Sequence, residues 1–286
     1  MNEVISTIFI ACAVMFGVAG FFGLVLAIAD RFLKVVEDER IEVVTGMLPG
    51  SNCGACGQPG CNAFANLIIA GGAAPSGCSV ASGDVVSEIA GFLGVAAGTA
   101  DKKVARLHCA GGKSSVRRLA EYSGFGTCRA AFTVSGGGRA CPWGCLGLGD
   151  CDRICTFDAI HMNDEELPVV DVELCTACGD CVDVCPLDLF KLESLANKVV
   201  VQCSSPLKGT AAIDACAVAC DACGRCALDA AEGVIEMSGG LPRIKIPGEA
   251  TRDATFRCPT GAITWVEDEQ FKVEEVQRAT PRRRHA

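Results

Sequence analysis

Histidine occurs three times in this 286-residue chain, tryptophan twice and tyrosine once. No His/Asp/Ser constellation for nucleophilic catalysis can be assembled, and His108 and His161 stand isolated, as surface or structural histidines do. No G-x-G-x-x-G fingerprint follows a strand, which excludes a dinucleotide-binding unit of that type. Gly147 and Gly149 lie inside a cysteine loop instead. Positive charge is also short: 25 Lys and Arg face 34 Asp and Glu, for a net charge of −9. That balance excludes the basic footprint of a nucleic-acid-binding protein, and Arg282-Arg283-Arg284 reads as a solvated tail.

Cysteine, by contrast, occurs 21 times. Small secreted disulfide scaffolds reach such densities, but they are short and usually carry an even count. Here the count is odd, the chain is long and the cysteines fall in tight C-x2-C runs. That pattern favours shared metal ligands in a reducing compartment.

Charge is missing altogether from the 26 residues Val4 to Ala29. A helix of that length, at about 1.5 Å per residue, crosses a hydrocarbon core of roughly 30 Å. Ala27-Ile28-Ala29 resembles a signal-peptidase site, but the preceding Met-Asn-Glu has no positive charge and the apolar run exceeds an h-region. The reading is a retained anchor over 1–30. Arg31, Lys34 and Arg40 follow it and only Glu3 precedes it, so the positive-inside rule places the bulk of the chain in the cytoplasm. Ala13, Gly17, Ala19 and Gly23 offer small faces to another helix. Cys12 is read as an ordinary small apolar residue.

The segment "GSNCGACGQPGC" opens a C-x2-C-x4-C-x16-C set: Cys53, Cys56, Cys61 and Cys78. An apolar stretch from Ala63 to Ala70 predicts a helix that returns Cys78 toward the glycine-rich loop, and a second helix is expected to close this 31–96 domain near Val95. Residues 97–138 are read as a connecting segment.

Aligned with itself, the chain shows a repeat. "CDRICTFDAI", "CVDVCPLDLF", "CALDAAEGVI" and "ATFRCPTGAI" end alike, at 151–160, 181–190, 226–235 and 254–263. They form two pairs, each with the internal duplication of a bacterial two-cluster ferredoxin. In such a module the first three cysteines of a C-x2-C-x2-C-x3-C-P run hold one cluster and the fourth ligates the other. For the 139–192 module this crossed rule groups Cys141, Cys145, Cys151 and Cys185, and separately Cys175, Cys178, Cys181 and Cys155. Zinc sites use two C-x2-C pairs with four ligands per ion; three cysteines at x2, x2 with a distant fourth fit a cubane better.

The 215–266 module is degenerate. Its first run supplies Cys220, Cys223 and Cys226 but has Ala230 where a fourth cysteine is usual. Its second run keeps only Cys258, with Gly248, Thr251 and Ala254 in the other ligand positions. The crossed rule joins Cys258 to the first three, and the missing four would all have served the other cluster. Residues 193–214 connect the modules and 267–286 form a charged tail. Four soluble-part cysteines remain, Cys109, Cys128, Cys203 and Cys216, the number one further cluster needs. The expectation is therefore four [4Fe-4S] clusters, with a fifth on that remaining set.

A single N-terminal span, the "GSNCGACGQPGC" domain and a ferredoxin module containing "ACPWGCLGLGDC" together resemble the B component of the Rnf electron transport complex in its long form. The likeness covers nearly the whole chain; only the one-cluster second module departs from it. The N-terminal cluster domain is also similar to one in corrinoid iron–sulfur proteins. The Rnf resemblance implies an iron–sulfur electron-relay subunit in a membrane complex that exchanges electrons between ferredoxin and NAD while moving Na⁺ or H⁺. It implies partners in other subunits and in soluble ferredoxin; the apolar run and charge balance read above add an expected place in the cell (inner) membrane, single-pass with clusters on the cytoplasmic side, and no nucleic acid. The fold class expected is α+β: one transmembrane helix, a small α-rich 4Fe-4S domain and tandem bacterial-ferredoxin-like modules. A membrane-tethered polyferredoxin serving another oxidoreductase, or a redox-sensing iron–sulfur protein, are the alternatives.

Overall fold

The computed structural model describes residues 2–32, 38–99, 101–246 and 248–271. Lys34 and the Arg282–Arg284 run lie outside the described residues.

Helix α1 (Asn2–Phe32) contains the long apolar run. Within it, Cys12–Ala29 is long and apolar enough to cross a membrane, with a mean hydropathy of 2.4 and none of its surface buried against the rest of the protein. Phe16, Phe21 and Leu26 are open on its surface. In water such a face would be costly, at about 25 cal/mol per Å² of exposed apolar surface.

The next domain packs α2 (Glu39–Met47), α3 (Cys61–Ile69) and α4 (Gly83–Leu93) around Val44, Leu48, Phe64, Ala65, Ile68 and Ile89. Asp38 caps α2 and Ser82 caps α4, each through a side-chain oxygen that accepts a first-turn N–H. Gly94, at φ +66°, ends α4 in the left-handed conformation that glycine adopts freely.

Two units of matching topology follow. The first runs β1 (Lys103–Leu107), α5 (Cys128–Thr133), α6 (Asp150–Ile154), β2 (Ile160–Met162), β3 (Pro168–Val170), α7 (Asp180–Val184) and β4 (Phe190–Ser194). The second runs β5 (Val199–Val201), α8 (Gly209–Ala215), α9 (Arg225–Asp229), β6 (Ile235–Ser238), β7 (Leu241–Ile244), α10 (Asp253–Phe256) and β8 (Ile263–Trp265). In each, the outer strands pair antiparallel (β1 with β4, β5 with β8) and the inner strands form a hairpin (β2 with β3, β6 with β7). Lys103 faces Ser194 and Leu107 faces Phe190; Val199 faces Trp265 and Val201 faces Ile263. Residues 97–138 and 193–214 read as connectors by sequence, yet each contributes its unit's first strand. Each strand pairs with one that follows all the cysteine runs of its unit, so nothing local marks its distant partner.

Each unit has its own core. The first is built on Leu107, Ile160, Val170, Leu189 and Phe190. The second is built on Val199, Val201, Val234, Ile235, Ala254 and Ile263. A third cluster lies where the units meet, with Val116, Ala212, Ala215, Leu241 and Ala262. There the segments leaving β1 and β5 exchange backbone hydrogen bonds. The Ala110 N–H donates to the Gln202 carbonyl at 3.0 Å, Arg117 to Ala215 at 3.1 Å and Ala217 to Ser115 at 2.9 Å. The start of the expected charged tail is docked: Gln270 hydrogen-bonds both backbone groups of Leu107, and Phe271 packs on the first core.

Candidate metal centres

Twenty of the 21 cysteines line five cavities, four to each, and none forms a disulfide. Site I has Cys53, Cys56, Cys61 and Cys78, the set read from the sequence. It is shaped by a glycine-rich loop laid against the start of α3. Asn52 Oδ1 accepts the Cys61 N–H at 2.8 Å, substituting for a missing cap on that helix. Gly60 makes this approach feasible, because a Cβ there would come within 2.9 Å of Asn52 Oδ1.

Site II is lined by Cys128, Cys145, Cys151 and Cys185. The crossed rule places Cys141 here; the structure has Cys128 instead and sends Cys141 to another cavity. The cause is the tight turn after Cys141, whose carbonyl accepts the Gly144 N–H at 3.3 Å, so Cys141 and Cys145 face different cavities. Cys128 is held at the first turn of α5, where Asp150 Oδ2 accepts the N–H groups of Cys128 at 2.8 Å and Arg129 at 3.3 Å. Arg153 pairs with Asp150 and donates to the Gly126 and Leu148 carbonyls, fastening this loop to α6. The sequence signal for Cys128 is Thr127, an N-cap residue directly before it that accepts the Ala130 N–H at 3.3 Å.

Site III gathers Cys155, Cys175, Cys178 and Cys181, as the crossed rule groups them. The Ala159 N–H points at Cys155 Sγ at 3.4 Å. Site IV gathers Cys220, Cys223, Cys226 and Cys258, also as grouped from the sequence. Arg257, next to Cys258, pairs with Asp229 at the end of α9 (Nε to Oδ2, 2.8 Å) and so draws α10 toward α9. In the same unit Ala230, Ala250 and buried Ala254 pack with Val234, Ile263 and Trp265.

Site V is lined by Cys109, Cys141, Cys203 and Cys216, all buried, at the meeting of the two units. The remaining set read from the sequence thus exchanges one member, Cys141 for Cys128. Cys12 lies in α1, exposed, and lines none of the five cavities.

The residues fit iron–sulfur clusters. Every cavity offers four sulfurs; sites II, III and IV are also lined by one carboxylate each, Asp150, Asp180 and Asp221. Among the described residues no three His, Cys, Asp or Glu side chains are spaced to hold a single metal ion. Backbone N–H groups two residues on donate to the sulfurs, from Gly147 to Cys145, Asp180 to Cys178, Ala222 to Cys220 and Arg225 to Cys223. Hydrogen bonds of this kind tune cluster potential. Burial pushes the free thiols upward, Cys220 to about 11 and Cys181 to about 12, with neighbouring sulfurs adding to the shift. Thiolates in these cavities therefore require a cationic partner.

The sites adjoin. The Cys145 N–H of site II lies 3.2 Å from Cys109 Sγ of site V. Cys151 of site II feels the charge of Cys181 of site III, and Cys220 of site IV that of Cys203 of site V. Ser79, beside Cys78, donates to the Thr176 carbonyl, beside Cys175, at 2.7 Å. The succession is I, III, II, V, IV.

A family model for an Fe-S cluster matches residues 48–80, and one for a 4Fe-4S binding domain matches residues 168–190. The B component of the ion-translocating oxidoreductase complex of Methanosarcina acetivorans is 34% identical over 239 residues, covering 84% of this chain and 90% of that protein. This chain belongs to the family of Rnf B components. The B component of the proton-translocating ferredoxin:NAD(+) oxidoreductase complex of Clostridium ljungdahlii is 34% identical over 264 residues, 90% of this chain and 92% of its own length. The B component of the Na(+)-translocating ferredoxin:NAD(+) oxidoreductase complex of Acetobacterium woodii is 43% identical over 214 residues, 73% of this chain; the chain spans 64% of that protein. As an Rnf B component, the chain is an iron–sulfur electron carrier with a helix suited to a membrane. His108 has no place in that chemistry: its Nε2 lies 3.1 Å from Glu193 Oε1, a structural pairing.

Proposed function

We propose that this chain relays electrons within a membrane complex that couples electron transfer between ferredoxin and NAD to Na⁺ or H⁺ movement. The observation that carries this reading is the unbroken adjacency of four-cysteine sites within one chain that also bears α1. Sites I, II, III and IV each hold a [4Fe-4S] cluster, and the two matching units are tandem ferredoxin-like modules, the second reduced to one cluster of its own. Cys128, not Cys141, completes site II. The clusters supply one-electron transfer when bound. The chain's own residues position them: α3, α6, α7 and α9 each begin at or just before a ligand. Eight of the twenty cysteines are buried and eleven half-buried; Cys223 is exposed and makes site IV an accessible end of the succession. Soluble ferredoxin exchanges electrons with the chain, α1 crosses the cell membrane once, and the clusters lie on the cytoplasmic side.

The test is iron and acid-labile sulfide analysis of anaerobically purified protein, with reduction by reduced ferredoxin followed by absorbance. Rapid bleaching on a turnover timescale is expected, and its absence would sink the relay. Cys258→Ala is expected to remove about four irons per chain; unchanged iron would refute the site IV assignment.

A further inference from the structure

Site V lies between the units and draws two cysteines from each. Cys109 comes two residues after β1 and Cys203 two residues after β5. Cys141 precedes Cys145 by the same C-x3-C spacing with which Cys216 precedes Cys220. Each unit thus donates one pair from matching positions, and the cavity is closed by the hydrogen bonds that join Ala110 to Gln202 and Arg117 to Ala215.

The sulfurs are presented as in the other sites. Backbone N–H groups two residues on donate from Gly111 to Cys109, from Trp143 to Cys141 and from Val218 to Cys216. The Ser205 side chain adds a hydrogen bond to Cys141, and the Cys145 N–H one to Cys109. The backbone at residue 111 runs against the sulfurs: a Cβ there would sit 3.1 Å from Cys216 Sγ and 3.5 Å from Cys109 Sγ. A core of ordinary packed thiols needs neither converging N–H donors nor this glycine.

We propose that Cys109, Cys141, Cys203 and Cys216 hold a fifth [4Fe-4S] cluster, shared between the units, that links site II to site IV. The proposal rests on the relay reading above. One electron arrives from the reduced site II side and one leaves toward site IV, or the reverse; no bond is made or broken and no proton moves. Without this site the second unit's cluster would lack a neighbour in the succession, and electron tunnelling falls steeply with distance.

The test compares iron, labile sulfide and reduced-state electron paramagnetic resonance of the anaerobically purified full chain with Cys109→Ser, Cys216→Ser and the double variant. The expected result is about 20 irons in the parent and about 16 in each single variant, with the same resonance lost. The double variant should lose no more than either single, because two cysteines 107 positions apart serve one cluster. A double variant that loses about eight irons would assign the cysteines to separate sites and overturn the proposal. A parent with about 16 irons and unaffected single variants would overturn the fifth cluster while leaving the relay intact. A parent without iron or sulfide would overturn the relay reading itself. Gly111→Ala retains every ligand and is expected to shift only the resonance lost in Cys109→Ser; an unchanged spectrum counts against the proposal.

Discussion

At the scale of single residues, charge and close approach set the environment of the sulfurs. Arg139 is buried and donates to Glu166 Oε2 at 2.9 Å and to the Gly111 carbonyl at 3.3 Å. Its guanidinium favours the thiolates of Cys141, Cys145 and Cys216 against the upward push of burial. The same positive charge stabilises an added electron nearby. Arg139→Gln is therefore expected to make the potential measured for site II more negative in a redox titration, at a stability cost of about 2 kcal/mol. An unchanged or more positive potential would show that the guanidinium is only structural. At site I, Asn52→Ala removes the acceptor for the Cys61 N–H. Chelator extraction of site I iron is expected to become faster, and the domain to lose about 1 kcal/mol by thermal melting. Equal extraction rates would show that the cysteines alone hold the loop.

At the scale of elements, the short helices bring ligands to their cavities. Cys128 was legible only as one of four cysteines left over from the repeat, and its destination was not, because Asp150 and Arg153 act on it across some twenty residues. Asp150→Ala releases the first turn of α5 and is expected to cost roughly 1–2 kcal/mol. It should make about four irons more labile while leaving the site IV spectrum intact. Equal lability at all sites would point to general unfolding instead. The paired strands behave differently. β1 and β5 were invisible as module strands because their partners come after all the cysteine runs of the unit. The C-x2-C runs of sites III and IV needed no such help: their spacing places three ligands on one loop and the adjoining helix turn.

At the scale of the whole molecule, the cysteines are part of the cores. Cys151 and Cys181 pack in the first unit, Cys226 in the second, and Cys141, Cys203, Cys216 and Cys220 between them. Burial pushes the Cys109 thiol up to about 11, so a metal bound there must displace a firmly held proton. Metal binding is then folding free energy. Anaerobic removal of iron is expected to abolish the cooperative melting transition of the two units and to expose their thiols to alkylation. A metal-free chain that melts cooperatively near the parent temperature would contradict this. Among the described residues α1 contributes nothing to these cores, and its apolar surface is available to lipid.

The sequence alone determined the apolar run, the spacing of sites I, III and IV, and the paired repeat with alanine at 230 and 254 where its pattern calls for cysteine. These are local or periodic features, carried by residues a few positions apart. Only the tertiary structure decided which of Cys128 and Cys141 lines the site II cavity, and that Cys109 and Cys203 line one cavity between the units. Those choices depend on a turn at Cys141, a carboxylate at Asp150 and strand pairings closed across a whole unit. Long-range contacts of that kind leave no spacing for a sequence to display.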